Sequence, residues 1–468
     1  MNKLFFANES PCLNSFFLVA ARRAAILFPI AGVVSVSAVA LLKLVMLICW
    51  LCSGNWQSRI KICKQNPVFL IMLLLIAWTF IGVIRWAVFD ANVIVDALKH
   101  WWSRQSFLCL LILATLYFDK ATRIKALASF NIAMLIFSTN FLLVYNEVFP
   151  RNIPSCFMLF NTITTGVVLV IWCVYWLHYS FQTRNIPLVR RILPKSILLG
   201  MKVASRTSPF DLVVGMITLV KSKQLPFWGI VFAWIRWGVI GSIIYFVFVL
   251  NTSRTAQLSL AIVIVIGLLM WNWRKGVLIS VVMLACIVAM AASNDIFVKK
   301  WEVTYKGVND VLSKDFNDIS HKDRHWILLK IIPEIQKKPI AGHGIDVDFS
   351  MLKKFLPFGE SNGFAHTHCE FTQVAIQFGL VGVGLFIIFI LLIFYYSSKI
   401  PLSVRYFAIA IITVILIDMF FNVPLYFCRQ KYITMFSIAL VLSEIAYYRR
   451  HKIIATPSKQ QIQTAAKN

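Results

Sequence analysis

Several stretches of this chain, 67–84 and 371–396 among them, run for about twenty residues with no charged side chain, the length a helix needs to cross a bilayer. A soluble core cannot absorb that many such runs, and with 59% apolar and only 14% charged residues the chain has little polar surface to cover them. The runs are continuous rather than alternating, which argues against a membrane β-barrel. The fold class predicted is an all-α polytopic membrane protein.

Charge is distributed in a way that constrains orientation. The formal net charge is +27. Residues 295–370 hold 11 of the 19 acidic residues, 11 of the 46 Lys and Arg, and 5 of the 8 His, so this polar stretch is neutral. The excess of basic residues sits in short connectors between apolar runs, as the positive-inside rule requires, and no nucleic-acid-binding motif accompanies it. We therefore expect membrane lipids, and no nucleic acid, as partners of the basic segments.

Spans are predicted at 67–89, 105–118, 126–148, 157–181, 226–250, 255–271, 276–294, 371–396, 404–421 and 432–448. The run 24–52 is long for one helix and fits either one helix or a tight hairpin of two. A cytoplasmic tail carrying Arg449, Arg450 and Lys452 puts Arg274 and Lys275, 182–225, 119–125 and 53–66 inside as well. Arg22 and Arg23 belong there too, which requires an even number of crossings in 24–52. The prediction is about 12 spans with both ends cytoplasmic. The organisation expected is an N-terminal transmembrane bundle over 1–294, with a basic connector at 182–225 lying along the inner leaflet. An extracytoplasmic loop follows at 295–370, then C-terminal helices at 371–448 and a basic tail at 449–468. No cleavable signal peptide is evident in residues 1–23.

Ten Cys are scattered, mostly in apolar runs. Cys49 and Cys52 form a CxxC with no second pair and read as small hydrophobes. Cys156, Cys369 and Cys428 fall near the outer face, which leaves one disulfide open among them.

The polar loop is where the chain concentrates chemistry. Arg254 lies in a turn of about four residues at the outer end of a span, against the orientation rule. It reads either as a snorkelling arginine or as an anion site, since a guanidinium fork fits phosphate oxygens. Arg324 opens a stretch with helical apolar spacing (Trp326, Ile327, Leu329) that should end before Pro333 or shortly after it. Pro339, Gly342 and Gly344 mark a glycine turn. The loop closes with His366, Thr367, His368, Cys369 and Glu370. That cluster fits a metal site, ordinary polar residues at a helix entrance, or a catalytic base, because imidazole takes protons near neutral pH. Inside the spans, Arg236 should face the bundle interior. Arg85 and Asp90 sit near the outer end of 67–89, where they pair or border a site.

At these residues the chain resembles the O-antigen ligases, within the wider superfamily of bacterial O-antigen polymerases and ligases. Four features match in order. Thr252, Ser253 and Arg254 are followed by small and apolar residues. Arg324 with Trp326 opens a loop helix. Pro339 precedes Gly342 and Gly344. His368 and Cys369 are followed, after nine residues, by Gly379 and Gly382. The family commonly has Asn, Ser or Gln after the histidine, where Cys369 stands here. Together these features cover roughly residues 226–396.

The resemblance implies a GT-C-like glycosyltransferase of the Gram-negative inner membrane, with its site facing the periplasm. It would move a glycan from an undecaprenyl diphosphate carrier to a sugar hydroxyl of lipid A-core, in lipopolysaccharide assembly, with no metal or nucleotide cofactor. His368 would take the proton of the acceptor hydroxyl. Arg254 and Arg324 would hold the diphosphate, with Gly342, Gly344, His366 and Arg429 near the substrate and Lys431 facing the same side. Displacement in one step implies inversion. O-antigen polymerase and protein O-oligosaccharyltransferase use the same donor class and remain alternatives. A transporter or flippase would show inverted repeats and broken midplane helices, and no repeat is visible.

Overall fold

The apolar runs become helices in the computed structural model, and their ends fall close to where charge and turn residues interrupt hydropathy. The structure describes residues 13–54, 56–89, 98, 101–102, 106–145, 162–179, 235, 238–250, 253–271, 273–292, 302, 331–344, 367–425 and 430–455. Arg324, Arg236, His366, Arg429, Asp90, Cys156, Cys428 and the connector 182–225 lie outside them.

The elements run as α1 (Leu13–Val34), α2 (Val36–Cys52), α3 (Trp56–Gln65), α4 (Pro67–Phe89), α5 (Ser106–Leu116), α6 (Lys120–Tyr145) and α7 (Thr162–Tyr179). Then come α8 (Gly238–Phe248), α9 (Arg254–Trp271), α10 (Trp273–Ala292) and the short α11 (331–337). The chain continues with α12 (Glu370–Ser397), α13 (Leu402–Phe421) and α14 (Gln430–Ala455). No strand occurs among the described residues. Among the described residues, five helices are long and apolar enough to cross a membrane, and five shorter apolar ones accompany them. The chain is thus an all-α membrane protein, while the count of about 12 spans stays an expectation.

The run 24–52 proves to be part of a hairpin. Ser35 has extended φ/ψ and accepts the Ala38 N–H at 3.3 Å, capping α2 where α1 stops. The arms are antiparallel: Tyr117 donates to Ala25 O at 2.8 Å, and Trp50 Nε1 donates to Thr115 Oγ1 at 2.9 Å, so positions 25 and 50 meet the same end of α5. The first helix begins at Leu13, so Arg22 and Arg23 lie within it rather than ahead of it.

Two ends of the bundle can be told apart by their ties. At one end Arg123 pairs with Glu444 at 3.1 Å, both buried. There the Arg450 guanidinium lies over Phe118 at 5.5 Å and that of Arg449 over Tyr396 at 4.2 Å. Arg59 donates to Trp50 O and to Ser53 Oγ at the same end. The basic segments 53–66, 119–125 and 449–450, which the sequence assigned to one side, therefore gather together. At the other end Ser106 donates to Leu425 O at 2.8 Å, and the Leu425 N–H donates to the buried Glu370 carboxylate at 3.1 Å. Asp418 accepts Asn422 Nδ2 at 2.8 Å and Gln430 Nε2 there, closing the connection from α13 to α14.

α9 belongs to the same frame. Tyr406, in the first turns of α13, donates to Val263 O at 3.4 Å, and its ring packs on Gly267. The fully buried positions of α9 (Ala256, Ser259, Leu260, Val263) lie toward its start. An antiparallel pairing lays that buried half along the buried stretch of α13. Arg254 is then at the Phe421 end of α13, the end that also holds Glu370.

Candidate functional site

The predicted span 371–396 is not one straight helix. Gly379 has φ +66° and ψ −169° inside α12, a conformation that only glycine adopts cheaply. Phe371 and Phe386 lie on opposite sides of it, and in a straight helix they would be about 22 Å apart. Their ring centroids are 5.6 Å apart, so the two halves fold toward each other. The second half, 380–397, is about 27 Å long and matches the hydrocarbon core by itself. The first half carries Glu370, Thr372, Gln373 and Gln377, and packs at the bundle end.

A break of this kind strands backbone groups that need new partners. The carbonyls of Ile376 and Gln377 lose their helical donors, and the N–H groups of Leu380 and Val381 lose their acceptors. The turn 339–344 satisfies all four. His343 N–H donates to Ile376 O at 2.8 Å and Gly344 N–H to Gln377 O at 2.9 Å. In return Leu380 N–H donates to Pro339 O at 2.7 Å and Val381 N–H to Ile340 O at 3.3 Å. Trp78 Nε1 of α4 donates to Phe378 O at 3.0 Å.

Such close backbone approach explains the glycines. A Cβ on Gly342 (φ +66°) would lie 2.5 Å from the carbonyl of Gln377, and one on Gly379 would strike the carbonyl of Ile340. On Gly382 it would strike Phe378 Cβ. The turn is braced in its own right. Its His343 Nε2 is 2.7 Å from Glu334 O, and Lys337 pairs with Glu334 at 2.6 Å. Arg85 donates to Ala341 O at 3.2 Å, so α4 also touches the turn. The described part of α11 runs through Pro333 to Lys337, and so ends shortly after the proline, one of the two stops expected there.

His368 sits just before the folded-back half and has φ +55°, the one non-glycine with positive φ among the described residues. Around it Thr367 Oγ1 donates to Cys369 O at 2.7 Å, and the Thr367 N–H donates to Gln373 Oε1 at 3.3 Å. Thr372 Oγ1 and the Gln373 N–H both donate to Cys369 O, at 2.9 and 3.0 Å. Cys369 is the N-cap of α12 but makes no side-chain cap bond; the Gln373 amide reaches back instead. The Cys369 thiol is free. Glu370, weighed in the sequence as a metal ligand, is spent on the Leu425 N–H.

The Arg254 turn is built just as tightly. Ser253 Oγ accepts the Ala256 N–H at 3.3 Å, capping α9. Gln257 Nε2 donates to Val247 O and Phe248 O, at 3.5 and 3.4 Å, across the turn. Those carbonyls belong to a π-helical stretch, Phe246–Leu250. Arg254 itself is partly exposed.

Of the residues singled out in the sequence, the structure places Arg254 and His368 at one end of the bundle. Gly342 and Gly344 are brought onto α12 beside Gly379. Lys431 is buried, its ammonium 5.2 Å from the Tyr432 ring. Gln373, Gln377, Trp78 and Asp418 were missed. The polar residues interrupting the apolar run at 370–377 were the available signal for the first two.

Geometry and composition define a multi-pass helical membrane protein with a broken helix locked by a loop at one end. Residues 237–387 match the family model described as O-antigen ligase, so the resemblance read from the sequence is shown over that segment. It contains Arg254, Gly342, Gly344, His368, Gly379 and Gly382. No curated protein matches the chain. The match supports glycosyl transfer of the O-antigen ligase or polymerase type.

Proposed function

We propose that this chain transfers an O-antigen glycan from undecaprenyl diphosphate to a sugar hydroxyl of lipid A-core, on the periplasmic face of the bacterial inner membrane. The observation that supports the reading is the family match over residues 237–387, a segment that contains both Arg254 and His368. In the proposed step the acceptor oxygen attacks the anomeric carbon while the bond from that carbon to the diphosphate oxygen breaks. The leaving diphosphate keeps the electron pair and is stabilised by Arg254, with Arg324 in the same role. His368 takes the hydroxyl proton. One displacement inverts the anomeric centre and requires no metal.

The test is complementation of a ligase-null strain that retains its lipid-linked glycan pathway. Wild-type chain should restore the lipopolysaccharide ladder, and His368→Ala, at equal membrane abundance, should not. A ladder made by the variant removes His368 from the chemistry. No ladder from abundant wild type, with longer carrier-linked glycans instead, assigns the polymerase reaction.

A further inference from the structure

The connector between α2 and α4 lies at the basic end of the bundle, far from the His368 turn. Residues 53–66 carry Arg59, Lys61 and Lys64 and no Asp or Glu. Within them α3 is a helix of 10 residues, and so about 15 Å long. Both halves of α3 touch the bundle. In the first half Arg59 is buried and donates to Trp50 O and Ser53 Oγ. Its guanidinium lies over the rings of Trp50 and Trp56, at 4.7 and 5.6 Å. In the second half Cys63 packs against the hydrophobic core. Contact through both halves lays α3 along the end of the bundle instead of pointing it away.

The other side of α3 is exposed and graded. With about 100° of turn per residue, Trp56, Ile60, Lys64, Gln57 and Lys61 follow one another in that order across about 140° of the helix, and all five are exposed. Arg59 and Cys63 fall outside this arc. Its apolar edge is Trp56, 42% exposed, and Ile60, 49% exposed; the two lysines occupy the rest. Two adjacent large apolar side chains gain nothing from facing water. In a headgroup layer the same arc is matched, with the apolar edge against acyl chains and the lysines against phosphates. The ends of the spans that α3 joins are exposed and apolar too, at Ile48 and Leu51 on α2 and at Leu70 on α4. Lys61 and Lys64 are three apart, hence neighbours on the helix surface, and no acidic residue of the connector neutralises them. We infer that α3 is an interfacial helix that binds an anionic diacyl phospholipid, with the phosphate at Lys61 and Lys64 and the acyl chains beside Trp56 and Ile60. This binding is independent of the reaction proposed above.

The experiment uses the full chain in nanodiscs of mixed phosphatidylcholine and phosphatidylglycerol, with the lipids that stay bound on release identified by native mass spectrometry. Wild type should retain phosphatidylglycerol in preference to phosphatidylcholine. Lys61→Gln with Lys64→Gln should cut that preference about thirtyfold, the weight of two lysines at an anionic surface. Lys120→Gln with Lys125→Gln makes the same charge change at exposed positions of the same end, and should leave the preference unchanged. An equal loss in both pairs makes the effect one of net charge and overturns the inference. Equal retention of the two lipids by wild type overturns it as well. A benzoylphenylalanine incorporated in place of Ile60 should crosslink to phospholipid. Crosslinking to protein instead, whether this chain, a second copy or another partner, would show that the arc is covered by something other than lipid and would also overturn it.

Discussion

His368 holds a backbone conformation that costs a non-glycine residue about 1–2 kcal/mol, and the cap network of Thr367, Thr372 and Gln373 maintains it. Strain of this kind is kept where a side chain is needed in one place. Replacing His368 by Gly should therefore separate stability from function. The variant should melt no lower than wild type, because the strain is relieved, while its transfer rate falls about 10²–10⁴-fold with loss of the base. Thermal melts and a transfer assay on purified protein check both halves, and a Gly variant with wild-type turnover would end the base assignment. The sequence marked this histidine through its motif. Its positive φ was illegible, because histidine in a turn carries no local sign of handedness.

Among the elements, α4, α9 and α13 follow the apolar runs within a few residues, since span length and hydropathy are local properties. The break in α12 was not legible in the same way. Gly379 and Gly382 lie in an apolar run that a continuous helix would tolerate, and the partner turn is more than thirty residues away in sequence. Only the reciprocal bonds between 339–344 and 376–381 reveal why both segments carry glycines. Gly379→Ala should cost about 3–5 kcal/mol, combining the left-handed penalty with loss of several buried hydrogen bonds. Gly342→Ala should cost a similar amount, because its Cβ meets the same backbone. Both act on one contact, so the double variant should be barely worse than either single one. Additive losses in denaturation would show that the turn and the break are independent.

Across the whole molecule, the two ends are fixed by different chemistry. One is closed by the buried Arg123–Glu444 pair and stacked arginines, the other by carboxylates accepting backbone and amide donors. Removing one partner of a buried pair leaves an unpaired charge, so Glu444→Ala should destabilise by about 3–5 kcal/mol. Arg123→Met with Glu444→Leu should recover most of that loss, as a melt series would show. The same pair bears on orientation. It ties the basic segment 119–125 to the basic tail, and Arg254 and His368 lie at the far end. If the basic end faces the cytoplasm, as the charge distribution requires, the candidate site faces outward whatever the number of spans. A cysteine placed at exposed Lys125 should then react with membrane-impermeant maleimide only after the membrane is opened, while one at exposed Ile340 should react in intact spheroplasts. Labelling of both from the same side would contradict the two-ended architecture, and the reverse pattern would place the site in the cytoplasm, where a periplasmic ligation could not occur.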